Sequence, residues 1–212
     1  MKSIFLEEKY ILEYIRDTLS DLKTKTVEPK NIGYHHNCTY SDAPLILEYG
    51  ILPIRQLVTL GLKKYTEKQL IILNDINSHA NGVDNISLSV VGLNDIFPNE
   101  EEYNPFLPSH VDLTISNEIK CSRHTTNYGN EYLYGNKIGV DKIKSVDIRL
   151  LEYLESNTSF VESIINKYNS LKDIAIALKQ LDLDIPLREM SSQNITMDVD
   201  KLLETPKILI KK

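Results

Sequence analysis

The chain has 212 residues, 42% of them hydrophobic and 25% charged, which suits one packed core with appendages and excludes collagen-like, disordered and disulfide-scaffold classes. A formal charge of -6 leaves no overall cationic field for indiscriminate nucleic-acid binding. With two cysteines, Cys38 and Cys121, the zinc spacings that need paired cysteines are missing, so no metal centre is expected and a reducing cytoplasm is the natural setting.

From Ser3 to about Leu22, Ile4, Tyr10, Ile11, Tyr14, Ile15 and Leu19 recur at helical spacing and predict an amphipathic N-terminal helix within residues 1–28. Glu7, Glu8 and Lys9 interrupt the apolar pattern, so neither a secretory leader nor a membrane span is expected there. Pro29 and Gly33 then punctuate the chain before a short strand over Ile32 to Cys38. Ser41 or Asp42 is placed to cap a helix through Ala43 to Tyr49, which Gly50 stops. A strand is expected over Ile51 to Ile54, and a helix over Thr66 to Ile76. The lysines at 63, 64 and 68 suit a solvated face.

After a turn at Asn81-Gly82, residues 85–91 alternate as a strand that puts Ser87 and Ser89 on one face. The proline-rich, acidic stretch from Asn94 to Ser109 suits a long surface loop. Val111 to Ile119 alternates as a strand, and a polar tract from Cys121 to Asn130 leads to Glu131-Tyr132-Leu133-Tyr134 and a strand over Ile143 to Ile148. Glu155 to about Leu181 is expected to be helical with a break near Asn169-Ser170, and the chain beyond Pro186 to be a polar, irregular tail. The predicted organisation is an N-terminal helix at 1–28, a core at 29–154 and a helical extension with its tail at 155–212.

Three separated segments resemble the ADP-ribosyltransferase superfamily, in particular its small bacterial and phage members that modify proteins, DNA or RNA. The first runs Tyr34-His35-His36-Asn37-Cys38-Thr39 and continues through Ala43-Pro44-Leu45-Ile46-Leu47-Glu48-Tyr49-Gly50-Ile51-Leu52. It looks like the family's opening strand and the short helix after it. Counting back from Gly50 puts the family histidine on His36, and strand alternation sets His36 with Tyr34 and Cys38 while His35 points the other way. Two surface histidines before a turn are the plainer account. The second segment, Asn81 to Ser89, is similar to the family's central strand, although no tyrosine stands between Ser87 and Ser89. The third, Gly129-Asn130-Glu131-Tyr132-Leu133-Tyr134-Gly135-Asn136-Lys137-Ile138, is similar to the segment carrying the family's catalytic glutamate.

The resemblance implies an α+β fold: an ADP-ribosyltransferase-like split β-sheet core, two small sheets clasping an NAD cleft, flanked by N- and C-terminal helices. It implies Glu131 as the catalytic carboxylate, His36 on the adenosine ribose, and further NAD contacts from Tyr34, Asn37, Thr39, Ser87 and Ser89. The acceptor is expected to be read by Arg123, Tyr128 and Asn130. Family members that modify arginine carry a second glutamate two residues before the catalytic one; here that position is Gly129.

The implied activity is NAD-dependent mono-ADP-ribosyl transfer to a protein or nucleic acid with release of nicotinamide, in a cytoplasmic toxin, phage-defence or anti-defence factor. One alternative is an NAD-dependent RNA 2-phosphotransferase, against which the Asn37, Thr39 and Asp42 neighbourhood counts because it lacks the basic set such enzymes place near the histidine. The other is an inactive fold that binds a protein partner through its terminal helices.

Overall fold

A computed structural model describes residues 2–26, 33–76, 82–91, 110–126, 129–190 and 195–211. The N-terminal segment supplies β1 (Ser3–Leu6), α1 (Glu8–Asp21) and β2 (Lys23–Thr26). The first part of the core holds β3 (Gly33–Cys38), α2 (Ala43–Tyr49), α3 (Ile54–Thr59), α4 (Glu67–Ile76) and β4 (Ile86–Val91). Next come β5 (Val111–Ile115), the hairpin β6 (Ser122–Thr126) and β7 (Gly129–Tyr134), and β8 (Ile143–Ile148). The chain closes with α5 (Leu150–Ser156), α6 (Val161–Gln180), β9 (Leu187–Glu189), β10 (Ile195–Met197), α7 (Val199–Glu204) and β11 (Lys207–Ile210).

The class is α+β, built on one mixed nine-stranded sheet in the order β2-β10-β9-β8-β5-β3-β4-β7-β6. The two small sheets expected from the sequence are joined into one, because β4 pairs with strands on both sides. One sheet face is apolar: cross-strand pairing aligns His36, Leu113, Val146 and Leu187 on it. Against that face α1 buries Ile11, Ile15 and Leu19, and α6 buries residues at helical spacing from Ile164 to Leu178, in one contiguous core. These stripes are buried in the protein's own core. Among the described residues no helix is long and apolar enough to cross a membrane.

Several sequence expectations need correction. Ser3 to Leu6 is a strand and not the start of the helix, because it pairs in parallel with β11 at the far end of the chain. The tail beyond Pro186 is therefore ordered into β9, β10, α7 and β11, and β9 and β10 extend the central sheet beside β8. Ile51 makes a single bridge to Ile138 and no strand follows, since α3 begins at Ile54. Gly50 permits that bridge: its φ is 81°, and a Cβ there would collide with the Ile138 carbonyl oxygen. The Cys121 to Asn130 tract contributes β6, paired with β7, and β5 ends at Ile115, short of Ile119. The expected Asn94 to Ser109 loop lies outside the described residues.

The helical segment breaks between Ser156 and Val161, and α6 runs unbroken through Asn169-Ser170. Its polar residues have structural roles. Asn169 mimics a strand partner for β11, donating from Nδ2 to the Ile208 carbonyl and accepting from the Ile208 N–H, each at 3.0 Å. Lys172, fully buried, donates to the carbonyls of Leu202 and Thr205 and so satisfies the open C-terminal end of α7.

The opposite sheet face is polar at its centre. Register aligns Asn37, Asp112, Asp147 and Arg188 across four strands. Arg188 donates from Nε and Nη2 to the two oxygens of Asp147, both at 2.5 Å, while Thr114 and Ser145 hydroxyls reach Oδ2 at 3.0 and 3.1 Å. Asp147 is wholly buried, so its charge depends on this bidentate partner. Arg188→Met is expected to lower stability by about 3–5 kcal/mol in urea unfolding, as removal of one member of a buried pair does. A change below about 0.5 kcal/mol would show that Asp147 needs no guanidinium.

Candidate active site

The sheet opens where β4 changes partners. Its second half pairs with β3 (Ser89 to His35, Val90 to Tyr34, Val91 to Gly33), whereas its first half pairs with β7 (Ile86 to Tyr134, Ser87 to Leu133, Leu88 to Tyr132). From His36 onward β3 and β4 part, and a cavity of about 410 Å3 lies at the parting, lined by residues of both strands. A strand that loses its neighbour leaves backbone groups without partners. Here the His36 side chain fills the place, with Nδ1 at 3.1 Å from the Ser87 carbonyl oxygen.

That contact fixes the imidazole chemistry. A carbonyl only accepts, so Nδ1 carries the hydrogen. Burial pushes the imidazole below its ordinary value against the opposing pull of the Ser87 carbonyl and of Asp112 and Asp42, so the ring is neutral at pH 7. Its remaining group, Nε2, is then a hydrogen-bond acceptor suited to a hydroxyl. His35 serves the fold instead, since it is buried with Nδ1 2.6 Å from Asp112 Oδ2. The alternation expected along β3 therefore separates the two histidines, and neither is a surface group.

Of the other residues named from the sequence, Asn37, Thr39 and Ser87 line the cavity with His36. Thr39 Oγ1 also accepts from the Asp42 N–H at 3.2 Å, bracing the turn into α2. Ser89 donates to the His35 carbonyl at 3.4 Å. Tyr34 is a core residue: its ring packs on Tyr132 with centroids 5.3 Å apart, and burial pushes its hydroxyl up to about 12. Cys38 lines the cavity, but burial raises its thiol far above neutrality, which leaves no thiolate nucleophile. Glu131 lies in β7, paired with His124 of β6 and one step along from the Leu88 to Tyr132 pair. The side chains of Arg123, Asn130 and Glu131, and all of Tyr128, lie outside the described residues.

The cavity also gathers residues that the sequence did not single out. Leu45 and Ile46 of α2, with Ile54 and Leu57 of α3, form an apolar wall. Asp42 does not cap α2 with its side chain; its carboxylate meets the Lys63 ammonium at 2.8 Å, so Lys63 belongs to the cavity and not to a solvated face. No local pattern announces a pair 21 residues apart whose ends meet only after α2 and α3 have folded. An apolar wall with a few converging polar groups suits a small-molecule ligand, and the volume falls in the range of roughly 300–1,000 Å3 usual for such sites.

The buried neutral imidazole has a signature in stability. Because the folded-state value lies below the ordinary 6.5, the unfolded chain binds this proton first as pH falls. The contribution is intact above pH 6.5 and is lost progressively below it. Urea titrations at pH 7.5 and 5.5 are expected to show wild type losing stability relative to His36→Asn on acidification. Parallel pH profiles for the two proteins would contradict a neutral His36.

No protein-family model, curated protein or solved structure matches the chain, so its function is argued from this geometry together with the resemblance carried by its own residues.

Proposed function

We propose that the protein is an NAD-dependent mono-ADP-ribosyltransferase, with NAD as the substrate held where β3 and β4 separate. The observation that carries this reading is strand adjacency. The three segments that resemble the family, far apart in the sequence, lie on β3, β4 and β7, which are consecutive neighbours in the sheet. Ser89 pairs with His35, and Glu131 lies one step beyond the Leu88 to Tyr132 pair, so β4 alone stands between the strand that carries His36 and the strand that carries Glu131.

In this reading Nε2 of His36 accepts from a hydroxyl of the adenosine ribose, and Ser87, Asn37 and Thr39 border the same pocket. The bond from C1 of the second ribose to nicotinamide breaks, and its electron pair leaves with the nicotinamide nitrogen. The Glu131 carboxylate stabilises the cationic ribose more than it stabilises intact NAD, which is what lowers the barrier. The acceptor then bonds to C1 and gives up its proton to solvent or a base. Gly129 removes the second acid that arginine-modifying members use, so a different acceptor is inferred. The phosphotransferase alternative gains nothing from Lys63, whose ammonium is already engaged by Asp42.

The test is incubation of labelled NAD with a cell lysate and either wild type or Glu131→Gln. Transfer to a macromolecule by wild type, reduced at least about 10²–10³-fold in the variant at unchanged melting temperature, is the expected result. Equal transfer by both proteins would remove Glu131 from the chemistry. No transfer and no nicotinamide release by wild type would remove the enzyme altogether.

A further inference from the structure

Apart from the central sheet, β1 and β11 form a sheet of their own, and its two edges are treated differently. On the β11 edge, the Ile208 N–H and carbonyl turn away from β1 and are both taken by the Asn169 side chain of α6. The β1 edge has no such cover among the described residues, where β11 is its one strand neighbour. The N–H groups of Lys207 and Lys211 donate to the carbonyls of Lys2 and Leu6, so Lys2, Ile4 and Leu6 turn their backbone groups toward β11. Ser3 and Phe5 therefore point their N–H and carbonyl groups outward, along an open edge.

This edge lacks the devices that keep strands from adding neighbours. Ser3-Ile4-Phe5-Leu6 contains no proline and no charge, and its pairing with β11 runs without a bulge. Two strands alone make a marginal sheet, which here rests on the core through Ile4, Leu6 and the fully buried Ile208. Its outer face keeps apolar surface in water: Phe5 is 64% exposed, and Leu209, its partner in the register, is 40% exposed. Charge decides which strand suits the edge. Lys2 precedes β1 while Glu7 and Glu8 follow it, so the edge is basic at one end and acidic at the other. An identical strand laid antiparallel meets opposite charge at both ends; laid parallel, it meets like charge.

We propose that β1 is a dimerisation edge, which pairs antiparallel with β1 of a second copy about a twofold axis to make a continuous sheet in the order β11-β1-β1-β11. Hydrogen-bond parity limits the register, because outward-facing residues must oppose outward-facing residues and the axis must therefore pass through a residue. Centred on Phe5, the register sets Lys2 opposite Glu8, Ser3 opposite Glu7 and Ile4 opposite Leu6, and the two Phe5 side chains meet at the axis. Centred on Ile4, it sets Lys2 opposite Leu6, and the acidic end loses its cation. The register on Phe5 is the one assigned. Glu7 already pairs with Lys9 at 3.1 Å, and this register gives Lys2 the next carboxylate, Glu8. None of the residues lining the cavity comes from β1 or β11, so the inference is independent of the NAD reading.

Analytical ultracentrifugation of the full chain over about 1–500 µM tests this, a range suited to a small interface. Wild type is expected to show a monomer–dimer equilibrium that Phe5→Lys weakens at least about tenfold at unchanged melting temperature, since like charges then meet at the axis. Lys2→Glu and Glu8→Lys should each weaken the dimer about threefold, and the double variant should restore it. Opposed residues of a hydrogen-bonded antiparallel pair have Cα atoms about 5.5 Å apart, within disulfide reach, so Phe5→Cys should give a cross-linked dimer on oxidation. Wild type that stays monomeric throughout, or a dimer that Phe5→Lys leaves intact, overturns the proposal. A double variant that dimerises no better than the single ones overturns the register and the proposal with it. If Phe5→Lys does not fold, a Phe5→Cys protein that cross-links no more than wild type overturns it equally.

Discussion

The hydrogen bond from His36 Nδ1 to the Ser87 carbonyl occupies the point at which two strands of a continuous sheet come apart. A sheet that opens in its middle exposes backbone groups that must find partners or suffer a desolvation cost. By placing a side chain in the missing partner's position, the protein keeps the opening without an unsatisfied carbonyl. The same contact sets the ring's tautomer and leaves one acceptor group. Structure and chemistry are thus fixed by one interaction, and both faces of the sheet serve to hold it.

On the apolar face, α1 and α6 clamp the centre of the sheet, and the ends of the chain are tied in through β1 and β11. On the other face, the His35–Asp112 and Arg188–Asp147 pairs link β3 to β5 and β8 to β9 through short, buried contacts. Charged groups at such depth cost several kcal/mol to desolvate, a cost that these pairings offset. Their arrangement restrains β3 from the face opposite the one that carries His36. His36 is therefore presented from a pinned strand, at the point where its pairing with β4 ends.

Much of this was legible from periodicity. The strands at 33–38, 86–91 and 143–148 and the helices at 43–49 and 67–76 follow from alternation, capping residues and Gly50. The division of labour between His35 and His36 also follows from alternation. What escaped is long-range. Ser3 to Leu6 has a helix-compatible composition, and its strand exists because β11, two hundred residues away, pairs with it. Asn169 reads as a helix breaker because its polarity is explained only by the β11 edge it satisfies. Likewise Asp42 and Lys63 became site residues through tertiary folding, and neither stands in a motif. The resemblance located three segments; it could not say that β4 would stand between the other two.

Nitrogen-15 NMR of the His36 imidazole, with and without saturating NAD at pH 7, addresses the central claim most directly. The account predicts a neutral ring protonated at Nδ1 in the free protein, with the Nε2 resonance moving on NAD addition while Nδ1 keeps its bond to Ser87. A ring protonated at Nε2, or an Nε2 signal indifferent to saturating NAD, would contradict both the geometry at the strand opening and the ligand assigned to it.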